Sequence, residues 1–115
     1  VEQDTSLANN VLMLTPFAAD NPAENVQSFV KKYQEAYGAT PDQFAADAYD
    51  AIYAIKAAVE KAGSTSGAAL ASALTSLTVE GVTGVMTWTA DGNTNKPASA
   101  ILYYDGVGTL FDSQD

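Results

Sequence analysis

Apolar positions recur at helical spacing through the middle of this chain and at every second residue near its end, so the pattern divides it into a helical block and a strand block. The first apolar run, Val11-Leu12-Met13-Leu14, is short and is stopped by Pro16, which reads as a buried strand over 11–15. Asn21-Pro22 then opens an amphipathic helix expected over 22–37. Asn21 is the expected N-cap, Pro22 suits the first helical position and Glu24 stands where a capping box puts its acid. Its stripe is Val26, Phe29, Val30, Tyr33 and Tyr37, and Gly38 suits the left-handed position past its end.

The same device returns at once. Thr40 is the expected cap, Pro41 the first helical residue and Gln43 the side chain that reaches back, opening a helix over 41–62. Phe44, Ala48, Ile52, Ile55 and Val59 form one apolar face, and Gly63 ends it. A third helix is expected over 67–77, with Leu70, Leu74 and Leu77 on one side and cap candidates in Ser64-Thr65-Ser66. After Gly81 the period becomes two: a strand over 85–89, a polar turn at Asp91-Gly92-Asn93-Thr94-Asn95, a strand over 100–104, and a further short run over 107–111. The expected order is β-α-α-α-β-β, a mixed α/β class.

Length and charge narrow what such a chain can do. Its 115 residues correspond to about one domain. A net charge of −9, with five lysines, argues against nucleic acid or an anionic membrane surface, because both need clustered cations. Cysteine and histidine are absent, which removes disulfides, thiolate nucleophiles, the usual zinc ligands and every scheme built on a histidine base. No apolar run approaches the roughly 20 residues that span a bilayer.

The remaining chemistry is sparse. Asp42, Asp47 and Asp50 crowd the second helix, and a carboxylate pair can do acid–base work if one member is desolvated; dipole stabilisation and a solvated face is the plainer reading. Asp91, Asn93 and Asn95 alternate like the first ligands of a calcium loop, but the sixth and twelfth places hold Lys96 and Leu102 where glycine and glutamate are required. Lys31 and Lys32 lie beside Glu35, and Lys56 beside Glu60, at spacings that make ion pairs on a wet face. Gly81-x-x-Gly84 and Gly106-x-Gly108 precede no helix and match no phosphate loop. Trp88 and the Tyr103-Tyr104 pair lack the surrounding cations of a base-stacking platform, which leaves packing as their use.

Several short motifs, taken in order over roughly 10–111, carry a resemblance. They are Leu14-Thr15-Pro16-Phe17 with Asn21-Pro22, Phe29-Val30-Lys31-Lys32-Tyr33 with Tyr37-Gly38, and Pro41-Asp42-Gln43-Phe44-Ala45-Ala46 with Ala48-Tyr49-Asp50-Ala51, followed by Glu80-Gly81-Val82-Thr83-Gly84 and Asp91-Gly92-Asn93. Together they resemble the C-terminal part of the type I periplasmic solute-binding proteins that serve branched-chain amino-acid ABC importers.

The resemblance implies a fragment of a receptor whose two α/β lobes, joined by three crossovers, close on a small ligand. Residues of about 1–18 and 97–115 would be lobe-two-like and about 19–96 lobe-one-like, in a single C-terminal fragment spanning 1–115. It implies no enzyme activity and no cofactor or metal. The implied partners are an amino-acid-like ligand, bound only with the N-terminal part supplied, and an ABC permease, at an extracytoplasmic location in the periplasm or lipid-anchored at the cell surface. Family members place an aromatic against the ligand at the position matched by Phe44, with Gln43 and Asp47 as secondary ligand-binding candidates. The helical faces left without their sheet imply self-association of the isolated chain. The alternative is a freestanding, self-associating interaction or structural module without a ligand. An enzyme would have to work with carboxylates alone.

Overall fold

The computed structural model describes residues 4–111. These fall into two compact units, one within Val1–Gln43 and Ala98–Asp115, the other Phe44–Pro97. The first unit holds a short 3-10 turn (Thr5–Ala8), strand β1 (Leu12–Thr15), helix α1 (Glu24–Tyr37) and strands β4 (Ser99–Tyr104) and β5 (Val107–Leu110). The second holds helix α2 (Gln43–Ala62) from Phe44 onward, helix α3 (Gly67–Leu74) and strands β2 (Thr78–Gly81) and β3 (Gly84–Thr87).

In the first unit, β4 lies between β1 and β5 in an antiparallel sheet, with Leu12 opposite Leu102 and Leu102 opposite Thr109. The 3-10 turn is tied to the far end of β4: the Asn9 side chain accepts from the Asp105 backbone N–H at 2.6 Å and the Thr5 hydroxyl donates to the Asp105 carboxylate at 2.8 Å. The Asp20 carboxylate accepts from the Leu110 N–H at 2.8 Å and so holds β5. The expected strand over 11–15 is present but is not buried. Leu12 and Leu14 are 54% and 71% exposed, because β1 is an edge strand in which Thr15 alone is buried.

Helix α1 buries Val26, Phe29 and Val30 as its spacing requires, and Phe29 meets Phe17 edge-on at 5.8 Å between ring centroids. It starts two residues later than expected. The Asn21 carbonyl oxygen of the side chain accepts from the Ala23 N–H in a turn of its own, and the Gln27 amide donates to the Asn21 and Ala19 backbone carbonyls, so Ala23 is left as an N-cap without a side-chain bond. At the other end Gly38, at φ 69°, donates to the Gln34 carbonyl as the left-handed cap.

The second helix also starts two residues late, at Gln43, and the capping box is not formed. Thr40 accepts instead from the Gln34 side chain, and the Gln43 amide engages Thr15. The buried face of α2 is not the one that carries its large apolar residues. The buried positions are Ala46, Asp50, Ala54 and Ala58, whereas Phe44, Ile52 and Ile55 are 71%, 65% and 51% exposed. Small residues, alanine at three of the four places, occupy the inner face.

The point of closest approach is Asp50. Its carboxylate, 1% exposed, accepts from the backbone N–H groups of Val82 and Thr83 at 2.9 and 2.8 Å and from the Thr83 hydroxyl at 2.5 Å. Thr83 is buried with it. A Cβ on Gly81 would collide with that carboxylate, so only glycine fits the end of β2. The expected solvated carboxylate at Asp50 is thus a buried anchor that pins the β2–β3 turn to the helix.

Strand β2 lies in a stretch to which the sequence pattern assigned no element. It pairs antiparallel with β3, Val79 opposite Met86, and Met86 faces the core while Val85 is half exposed. The expected 85–89 strand therefore spans Gly84–Thr87 and pairs backward with β2. The Asp91–Asn95 turn closes on the bridge between Trp88 and Thr94 and on backbone bonds from Thr89 to Asn93 and from Asn95 to Thr87. Helix α3, capped by the Ser66 hydroxyl on the Ala69 N–H, ends at Leu74 and not at 77. The Thr75 and Ser76 hydroxyls donate to the Ser72 and Ala73 carbonyls and end the helical ladder there. The 107–111 run forms β5 over Val107–Leu110.

Two outcomes are expected. Asp50→Ala leaves the Val82 and Thr83 donors buried without an acceptor and should cost about 3–5 kcal/mol of unfolding free energy, with Thr83→Val costing about 1–3 kcal/mol. Urea denaturation measures both, and equal stability of wild type and Asp50→Ala would remove the anchor.

The second expectation concerns Tyr49, which stacks on Tyr53 at 4.7 Å between ring centroids. Hydrogen bonding to Tyr53, then partial burial and the nearby Tyr53 and Asp50 charges, push the Tyr49 phenol up to about 12 from its ordinary 10.0. The unfolded chain loses that proton first, so the associated stability is fully present below pH 10 and is lost as pH rises toward about 12. Phenolate absorbance should show one tyrosine titrating late, and Tyr53→Phe should bring it back toward the ordinary value.

Candidate functional site

The first two turns of α2 carry the three residues singled out as ligand-binding candidates, and each meets different surroundings. Gln43 is half-buried and lies 2.8 Å from the hydroxyl of Thr15, itself 2% exposed at the end of β1. Phe44 projects into solvent, and its ring is free of the core that its place in the stripe suggested. Asp47 is half-buried and pairs with Lys96, Nζ to Oδ1 2.6 Å, with side chains 39% and 23% exposed.

Within the second unit a cleft of about 310 Å³ opens beside Asp47. Ala51, Ala54 and Ile55 of α2, Leu74 of α3, and Met86 and Trp88 give it apolar walls, and Asp47, Thr94 and Lys96 supply its polar groups. Such a composition, mostly apolar with few polar groups, is that of a small-molecule pocket or of a seat for another apolar surface. Phe44 and Gln43 are not part of its lining.

Three of these residues escaped the sequence reading as parts of a site. Lys96 differs from Lys31 and Lys56, whose partners Glu35 and Glu60 are four residues on and fully wet. It has no acid at helical spacing, and that was the available signal for a long-range partner. Trp88 was assigned to packing, and it does line a wall. Thr15 stood at the end of a strand read only for its apolar residues; its hydroxyl is the group that meets Gln43.

Among the described residues no group of three acidic, histidine or cysteine side chains is placed to hold a metal ion, and no helix is long and apolar enough to cross a membrane.

A family model described as periplasmic binding protein matches residues 3–107. Among curated proteins no match is found. Solved structures match over nearly the whole chain. The ABC transporter substrate-binding protein from Desulfitobacterium hafniense, in complex with Leu, is 29% identical, with a TM-score of 0.83 over 90% of this chain and 32% of its own. The branched-chain amino acid transporter substrate-binding protein LivJ from Streptococcus pneumoniae, in complex with isoleucine, is 25% identical, with a TM-score of 0.77 over 93% and 32%. A solute-binding protein from R. palustris in complex with benzoate, 21% identical with a TM-score of 0.77 over 90% and 29%, shares the fold.

This chain therefore spans about a third of the length of the structures it matches. Those proteins are solute-binding proteins and not enzymes, and the family acts outside the cytoplasm. The mixed helix and sheet order seen here is part of the type I fold of the ABC-transporter receptors. With the family model matched from residue 3 to residue 107, the chain belongs to the periplasmic binding proteins.

Proposed function

We propose that this chain works as the C-terminal part of an extracytoplasmic receptor that captures a small amino-acid-like ligand and delivers it to an ABC permease. The reading rests on one observation above the others: nine-tenths or more of the chain follows the fold of amino-acid receptors while spanning only a third of their length. The periplasm, or a lipid anchor at the cell surface, is the corresponding location. The parts about 1–18 and 97–115 would belong to the second lobe of such a receptor and about 19–96 to the first.

The exposed face of α2 supports the same reading. Ile52 and Ile55 are large apolar side chains held outward by a helix whose inner face is closed by Asp50 and alanines. A face of that kind in a soluble protein is a surface awaiting a partner layer. In the complete receptor the remaining two thirds would supply that layer. Phe44, at the start of the same helix, would remain at the ligand cleft, with Gln43 and Asp47 as its polar neighbours.

Phe44→Ala separates ligand contact from folding, because the side chain is 71% exposed here. Its stability cost should stay within about 0.5 kcal/mol, while leucine or isoleucine binding by the complete receptor should weaken at least about ten-fold, the loss of roughly one buried aromatic contact. Calorimetric titration measures it. Unchanged affinity would remove Phe44 from the ligand site.

By itself the chain would cover the α2 face with a second copy and bind no free amino acid tightly, since half of the polar shell around the ligand would be missing. Sedimentation equilibrium over a dilution series should show a reversible dimer or higher oligomer. Ile52→Lys should return it to a monomer, and a wild-type chain that is monomeric at every concentration would contradict this expectation.

A further inference from the structure

The amide of Gln43 is held by a hydroxyl that cannot serve all the neighbours placed around it. Thr15 Oγ1 lies 2.8 Å from Gln43 Oε1 and 3.1 Å from the Phe17 carbonyl oxygen, and it accepts from the Phe17 N–H at 3.3 Å. Both carboxamide and backbone oxygens are acceptors, and a threonine hydroxyl has a single proton to donate. The site is buried, with Thr15 2% and Phe17 5% exposed, so an acceptor facing an acceptor there would cost the desolvation of both.

Turning the Gln43 amide by 180° about its last bond keeps its shape and removes the conflict. Nε2 then donates to Thr15 Oγ1, the hydroxyl donates to the Phe17 carbonyl, and the second lone pair of Oγ1 receives the Phe17 N–H. One proton donated and two accepted is the full capacity of a hydroxyl. This arrangement leaves Gln43 Oε1, an acceptor, as the end of the amide not engaged by Thr15.

We propose that Thr15 is a positioning residue that sets the Gln43 amide with its oxygen outward, so that Gln43 recognises an N–H donor of the ligand, an ammonium group, and not a carboxylate. This deepens the receptor reading and rests on it for the contact with ligand. Asp42 is the acid beside Gln43 in the sequence, and Asp47, further along the helix, is already paired with Lys96 at 2.6 Å. The positive end of the helix dipole opposes a cation here, so the recognition rests on the outward amide oxygen as the acceptor.

The test has two arms. In the chain as it stands, NMR should show one Gln43 side-chain N–H close to the Thr15 methyl and exchanging slowly. Thr15→Val should abolish that slow exchange and Thr15→Ser should restore it. Two fast-exchanging Gln43 amide protons in wild type would place Oε1 on Thr15 and overturn the proposal.

In the complete receptor, Gln43→Ala should weaken leucine at least about ten-fold and leave its desamino analogue, 4-methylpentanoate, unchanged. Thr15→Val should do the same to a smaller degree, with Thr15→Ser near wild type. Equal losses for leucine and the analogue would assign Gln43 to the carboxylate and overturn the proposal. Leucine affinity untouched by Gln43→Ala, with the slow amide proton present, would instead sink the ligand contact while the orientation stands.

Discussion

A buried carboxylate accepting from three donors of one turn is the constraint on which the second unit depends. Asp50 sits in the middle of α2, and Val82 and Thr83 form the turn between β2 and β3, so the bonds join residues more than thirty positions apart. An ion of that kind is tolerated in a low-dielectric interior only when its oxygens are fully used, and here the backbone supplies most of the donors. The turn must come close to reach it, and that closeness dictates glycine at 81, while alanine occupies 46, 54 and 58 on the same helix face.

That choice of inner face inverts the apparent amphipathicity of α2. A helix has a limited number of positions per turn, and those taken by Ala46, Asp50, Ala54 and Ala58 point the larger apolar residues outward. Phe44, Ile52 and Ile55 are thereby available to other surfaces. On the proposed reading, the rest of the receptor takes Ile52 and Ile55, and the ligand takes Phe44. The ion pair between Asp47 and Lys96 then closes the polar edge of the cleft beside them.

Much of this was legible in the sequence, and each error has a physical cause. Helical spacing located α1, α2 and α3, Gly38 ended α1 where a left-handed cap belongs, and alternation located β3, β4 and β5. Periodicity reports which side of an element is apolar and carries no information on which neighbour it meets. The stripe through Phe44, Ile52 and Ile55 was readable as one apolar face but not as the face opposite the buried one, and Val11 to Leu14 was assigned to a buried strand. Both lie at surfaces. Asp50 was invisible for the opposite reason: its partners are backbone N–H groups, which every residue except proline carries. Side chains with two local options also shifted the helix starts, as Asn21 chose a turn and Gln43 chose Thr15 over a capping box. The family was readable because the order of several weak motifs constrains more than any one of them.

The central claim is that the outer face of α2 is built to be covered by the remainder of the receptor, with Phe44 reserved for ligand. Carbene footprinting of the chain alone, and of the complete receptor with and without leucine, tests it most directly. Ile52 and Ile55 should label strongly in the dilute chain and be protected in the complete receptor before any ligand is added, whereas Phe44 should stay reactive until leucine is bound. Equal labelling of Ile52 and Ile55 in the chain and in the complete receptor would contradict the account.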